Sequence, residues 1–323
     1  MSNEGRIFRA PQIQHLPGTV RGNSRTELAL TTTDETVDNA LPTENQKRMD
    51  EAKRILGQDF LGPAEVTKAF GIELSPDQIP PLDTTPDVLK WAKSQGLMLV
   101  LRIDNATGSP LTIERMERIL QPEFSARNAG RVINRDSFYL DQHFFTEATS
   151  RAGWFFVSKD AVGGTDCGIT YLDQSHKIGE FLIDNKKIIG NQIPLDAIRY
   201  LNLQNEELQT LVKNNPEQAV ALLSYFSLNQ AVRQTPVEAV YDLLLYFQNT
   251  GKRLLADKTT LVGGANIFTR SFNHFIKDNR FIGVGYFDRD GIRITRHNAG
   301  GADPRVGAII AFPVPKPTSD QEQ

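Results

Sequence analysis

Cysteine is nearly missing from this chain: 323 residues hold only Cys167. An internal disulfide and a cysteine-rich zinc site are therefore excluded. Long apolar runs are missing as well, and none approaches the ~18 residues a membrane-spanning helix needs. Met1 to Ala10 contain no apolar stretch of the kind that directs secretion. Neither sign of charge dominates. Thirty-six Lys and Arg face 39 Asp and Glu, a net charge of −3, which gives the whole chain no general attraction for nucleic acid or an anionic membrane. Gly263-Gly264 is not followed by Lys-Ser or Lys-Thr, so it does not make a phosphate loop. The expectation is a soluble, cytoplasmic protein without cofactor or metal. With 39% hydrophobic residues it has ample material for a core.

What is present is clear helix punctuation. The plainest case is Thr235-Pro236-Val237-Glu238, where a capping hydroxyl, a proline in the first turn and a glutamate three residues on open a helix that Gly251 can close. Its apolar residues surround the axis, which predicts a helix buried on several faces. Similar signals predict helices from Thr43 to Gly57, from Gly62-Pro63 to Gly71, from Thr85-Pro86 to Gly96, and from Ser109-Pro110 to Pro122. Three more are expected in 194–232, the last running unbroken from Asn215 to about Val232. Ser75-Pro76-Asp77-Gln78 after a short helix suggests a helix-turn-helix, but Pro80-Pro81 stops the second element too early to lie along a major groove.

Strands are expected at Leu97–Ile103, at Gly153–Ser158, as two short pieces within Phe181–Ile189, and near 308–312. Phe281–Phe287 and Ile292–Thr295, joined by Asp288-Arg289-Asp290-Gly291, form a hairpin with Gly291 in the turn. The architecture is α+β: a helical N-terminal part, one central mixed or antiparallel sheet, a helical insertion between the early and late strands, and a C-terminal hairpin. Residues 43–317 form a single domain. Residues 1–42 are a disordered tail, locally basic through Arg6, Arg9, Arg21 and Arg25, and 318–323 are a flexible end.

Six stretches in this order also resemble a family of uncharacterised bacterial proteins. They are Arg54-Ile55-Leu56-Gly57-Gln58-Asp59-Phe60-Leu61-Gly62, Phe70-Gly71-Ile72, Leu97 to Ile103, Gly153-Trp154 to Lys159, Thr235 to Leu255, and Phe281 to Ile294. The resemblance spans roughly residues 52 to 312. The Ala161–Asn191 region and the Gly300–Pro315 end depart from it. It implies one continuous fold and carries over no catalytic residue.

Chemistry-bearing residues are sparse. Cys167 and His176 are candidates for a nucleophile and its base in a Cys/His hydrolase, where a thiolate needs a base close in space. Asp160, Asp166 and Asp173 match no metal-loop spacing, and Asp288-Arg289-Asp290-Gly291 lacks the later glutamate of a calcium loop. Between Lys252 and Arg305, ten Lys and Arg stand against five Asp and Glu among interleaved aromatics. Hairpin alternation makes Arg280, Arg296, His297 and Arg305 candidates for an anion site, suited to nucleic acid. Ordinary ion pairs to Asp278 and Asp303 are the simpler use of the same arginines. With no catalytic constellation, the leading expectation is a non-catalytic protein that docks a protein partner.

Overall fold

In a computed structural model, the described residues are 43–162, 168–190, 195–255, 268–275 and 280–315, with 268–275 described by its backbone. The expected tail 1–42, the end 318–323, Asp166 and Cys167 lie outside them. All that follows belongs to the compact unit Pro42–Gln323.

The chain is α+β. Helices α1 (Glu44–Leu56), α2 (Pro63–Phe70) and α3 (Pro86–Ser94) make the helical N-terminal part. The expected caps hold them: Gln46 N–H donates to Thr43 Oγ1 at 3.2 Å and Val88 N–H to Thr85 Oγ1 at 3.4 Å, while Gly71 ends α2 in the left-handed conformation. Strand β1 (Phe60–Leu61) lies between α1 and α2. The Pro76–Gln78 segment is one turn of 3-10 helix, in keeping with the early stop.

The expected single sheet is two. The first has the order β1, β2 (Leu97–Arg102), β6 (Gly153–Ser158), β11 (Ala311–Pro313). Its β1–β2 pair is parallel and its other pairs antiparallel, with Leu99 opposite Phe156 and Phe312 opposite the same Phe156. Every residue of β2 is buried, as its unbroken apolar run requires. The second sheet has the order β10 (Val306–Gly307), β7 (Phe268–Phe275), β8 (Arg280–Asp288), β9 (Gly291–His297), β5 (Ile133–Asn134). The hairpin β8–β9 is its centre, turned where Asp290 N–H donates to Asp288 Oδ1 at 2.7 Å. Two short strands, β3 (Asn105–Ala106) and β4 (Ser109–Pro110), pair only with each other among the described residues.

Three local expectations are corrected. Ser109-Pro110 is strand rather than helix start; α4 (Ile113–Ala126) is capped by Thr112, whose Oγ1 accepts from Arg115 N–H at 3.1 Å. Pro122 does not end α4. Phe124, two residues on, is buried against Phe247 and Phe287 at 5.2 and 6.5 Å between ring centres, and that packing offsets the missing backbone donor. Phe181–Ile189 is helical rather than two strands. It belongs to α6 (Tyr171–Asp184), which the Thr170–Asp173 capping box starts, and to the separate short α7 (Lys186–Ile189) after Asn185. The short α5 (His143–Thr146) lies in the long connection before β6.

The helical insertion is present between β6 and β7: α6, α7, α8 (Leu195–Leu203), α9 (Asn205–Asn214), α10 (Pro216–Ser224), α11 (Ser227–Val232) and α12 (Pro236–Thr250). The helix expected across 215–232 is broken at Tyr225–Phe226, so α10 and α11 are separate. Every residue of α12 from Pro236 to Gln248 is buried. It lies between the two sheets. Tyr241 donates to the Leu101 carbonyl on β2 at 2.9 Å, and Phe247 packs edge-on to Phe287 on β8 at 5.3 Å. That is why its sequence is apolar all round.

Candidate functional site

The core holds a charge network that the apolar pattern of α12 conceals. Asp242 accepts from Arg102 Nε at 3.1 Å and Nη2 at 2.5 Å, and from Gln234 Nε2 at 2.6 Å. Glu238, one turn earlier, accepts from Arg151 Nε at 2.6 Å and from the Thr235 backbone N–H at 2.9 Å. Arg102 Nη1 makes no hydrogen bond but lies 3.4 Å from Glu238 Oε1. The Arg102 guanidinium also lies over the Phe155 ring at 4.6 Å. Burial raises the Asp242 carboxyl above its ordinary pKa, against the pull of Arg102. Burial acts the same way on Glu238, but Arg102 and Arg151 outweigh it and hold that carboxyl below its ordinary value. Beside Asp242 and Lys159 is a cavity of about 10 Å³, room for a single water and no more. Arg233, also buried, donates to Asn229 Oδ1 at 3.1 Å and lies 3.9 Å over the Tyr171 ring, which stacks on Phe281. Both networks face inward and serve the fold.

The residues singled out by sequence are dispersed. His176 has both ring nitrogens engaged, Nδ1 with Asn202 Oδ1 at 3.1 Å and Nε2 with Asn205 Oδ1 at 2.9 Å. Arg305 makes a two-point ion pair with Asp303, at 3.0 and 2.8 Å, as the simpler reading expected. Asp278 lies outside the described residues. In the β8–β9 register Ile282 faces Arg296 and Phe281 faces His297. Strand alternation therefore puts Arg280 and Arg296 on one face of the hairpin and His297 on the other. Arg296 lies 4.5 Å over the Phe138 ring, and His297 Nε2 is 2.7 Å from Thr295 Oγ1. His297 is close enough to Asp303, the partner of Arg305, to help lower its pKa.

The surface feature that stands out is on the insertion. Tyr200, Leu203, Leu222 and Tyr225 are 54, 81, 44 and 73% exposed. Tyr200 and Leu203 are three apart on α8, and Leu222 and Tyr225 stand at the end of α10, so each pair shares a helix face. The break between α10 and α11 is what turns Tyr225 outward, while Phe226 beside it is buried and meets the Tyr200 ring at 5.6 Å. Two concavities of about 610 and 360 Å³ both include Tyr200, Leu222 and Phe226 in their walls, and so form one groove across α8, α9 and α10. A cleft of about 660 Å³ lies between Thr170, Asp173, Lys213, Asn298 and Gly300 and mixes both signs of charge. Sequence reading placed Leu222 and Tyr225 on a helix but gave them no role. The available signal was apolar residues left over on helices whose inward face was already supplied by Ala219, Val220 and Leu223.

Comparison with known proteins yields no match to a family model, a curated protein or a solved structure.

Proposed function

We propose that the protein acts by docking a protein partner on the groove formed by α8, α9 and α10, without catalysis of its own. The observation that carries this is the exposure of Tyr200, Leu222 and Tyr225 in the walls of two adjoining concavities, with exposed Leu203 on the same helix as Tyr200. Apolar side chains contiguous on a surface mark interaction sites, and tyrosine is one of the residue types enriched among anchors there. The nucleic-acid reading has less support, since Arg296 is stacked on Phe138 and Arg305 is neutralised by Asp303. A photo-reactive amino acid placed at Leu203, in cells that make the protein, tests the proposal against the same group at exposed Lys68. The expected result is one partner cross-linked from position 203, not from 68, and lost in a Leu222→Asp variant. Identical products from both positions, or products unaffected by Leu222→Asp, would overturn it.

A further inference from the structure

The groove is walled by Leu208, Leu211, Leu222 and Phe226 among polar residues, and its charged lining has one sign. Among the described residues Asp196, Glu206 and Glu207 line it, and no lysine or arginine does. Asp196 is engaged by Arg199 at 3.3 Å, while among the described residues Glu206 and Glu207 have no ion-pair partner. Both stand in the first turn of α9, where the helix dipole favours them as anions.

Resting on the docking reading above, we infer that the groove takes an amphipathic helix of a protein partner, with an apolar stripe against Tyr200 and Leu222 and lysines or arginines beside that stripe. A helix offers anchors at every third and fourth residue, which suits a groove walled by helices. Flanking cations lay their carbon stems on the apolar wall residues and carry their charge to Glu206 and Glu207. The same carboxylates repel the phosphates of nucleic acid and the headgroups of an anionic membrane. A second copy of this chain docking through the same face sets the acidic rims against each other.

The test uses the full chain and two labelled amphipathic peptides of about 18 residues, long enough to hold a helix. They share one leucine stripe, flanked by lysine in one and glutamate in the other. Fluorescence anisotropy is read at about 0.05 M and about 0.3 M salt, across which screening of surface charge rises steeply. The lysine peptide binds, more weakly at high salt, and the glutamate peptide does not. Glu206→Gln/Glu207→Gln, whose fold is checked by circular dichroism, weakens the lysine peptide by at least about threefold. Equal binding of both peptides, no binding of the lysine peptide, or indifference to the double substitution overturns the assignment. A dimer in solution that Leu222→Asp dissociates also overturns it, in favour of a second copy. The docking reading fails separately: it depends on the cross-link from position 203 and its loss in Leu222→Asp, whatever the glutamines do.

Discussion

Arg102 on β2 and Asp242 on α12 are joined by two parallel hydrogen bonds, of 3.1 and 2.5 Å, with both side chains buried. A helix and a strand 140 positions apart are thereby locked in one register. Removing one member leaves the others charged and buried, which is costlier than the pair is worth. Arg102→Met is expected to lose about 3–5 kcal/mol. Arg102→Met/Asp242→Leu is expected to lose less than the sum of the single changes. A double-mutant cycle from urea unfolding measures the coupling, and strict additivity would show that the two groups do not act as a unit.

The central helix supplies a second test. Leu244 is fully buried, so Leu244→Ala is expected to cost about 2–5 kcal/mol. Tyr241→Phe keeps the ring against Phe70 and removes only the hydroxyl donor to Leu101, for about 1 kcal/mol. A loss below ~1 kcal/mol for Leu244→Ala contradicts the placement of α12 between the sheets.

Asp303 carries a pH prediction. Its hydrogen bonds from Arg305 lower its pKa from the ordinary 3.8 to about 2. The folded state thus favours the ionised carboxylate. The stabilisation is complete above about 3.8 and is lost as pH falls through about 2. Carbon-detected NMR titration of Asp303 should show the depressed midpoint, and Arg305→Ala should return it to the ordinary range.

Among the described glycines, Gly130 leaves the least room for a side chain. A Cβ there would stand 2.0 Å from the Arg289 carbonyl oxygen in the β8–β9 turn, and its φ is +91°. Gly130→Ala is expected to cost more than about 2 kcal/mol, because backbone must move on both sides. Thermal unfolding measures it, and an unchanged midpoint would mean that the turn is not held against this loop.

The groove predicts the opposite behaviour. Leu203 is 81% exposed, so Leu203→Ser should change stability by less than about 0.5 kcal/mol while abolishing cross-linking from neighbouring positions. A substantial loss of stability would make Leu203 structural.

Local chemistry was legible without tertiary structure wherever it acts over a few residues. The Thr235–Glu238 capping box, the Gly251 stop, the Thr85–Pro86 start and the Asp288–Gly291 turn are all readable because each is settled by hydroxyls, prolines and glycines within four positions of one another. The apolar run of β2 foretold its burial for the same reason. What sequence could not decide was partnership. One sheet or two depends on which edges meet, and the split of β2 and β6 from β8 and β9 follows from α12 lying between them. Pro122 inside α4 and the helical Phe181–Ile189 show packing and distant caps overriding local signals. The carboxylates of Glu238 and Asp242 on an apolar helix, and the arginine ending an apolar strand, were visible singly. Only their approach in space made them a pair, because a charge can be buried only where its opposite is brought to meet it. The exposed face of Tyr200, Leu203, Leu222 and Tyr225 was likewise undetermined by composition. A leucine is apolar wherever it stands, and its exposure is set by what the rest of the chain leaves uncovered.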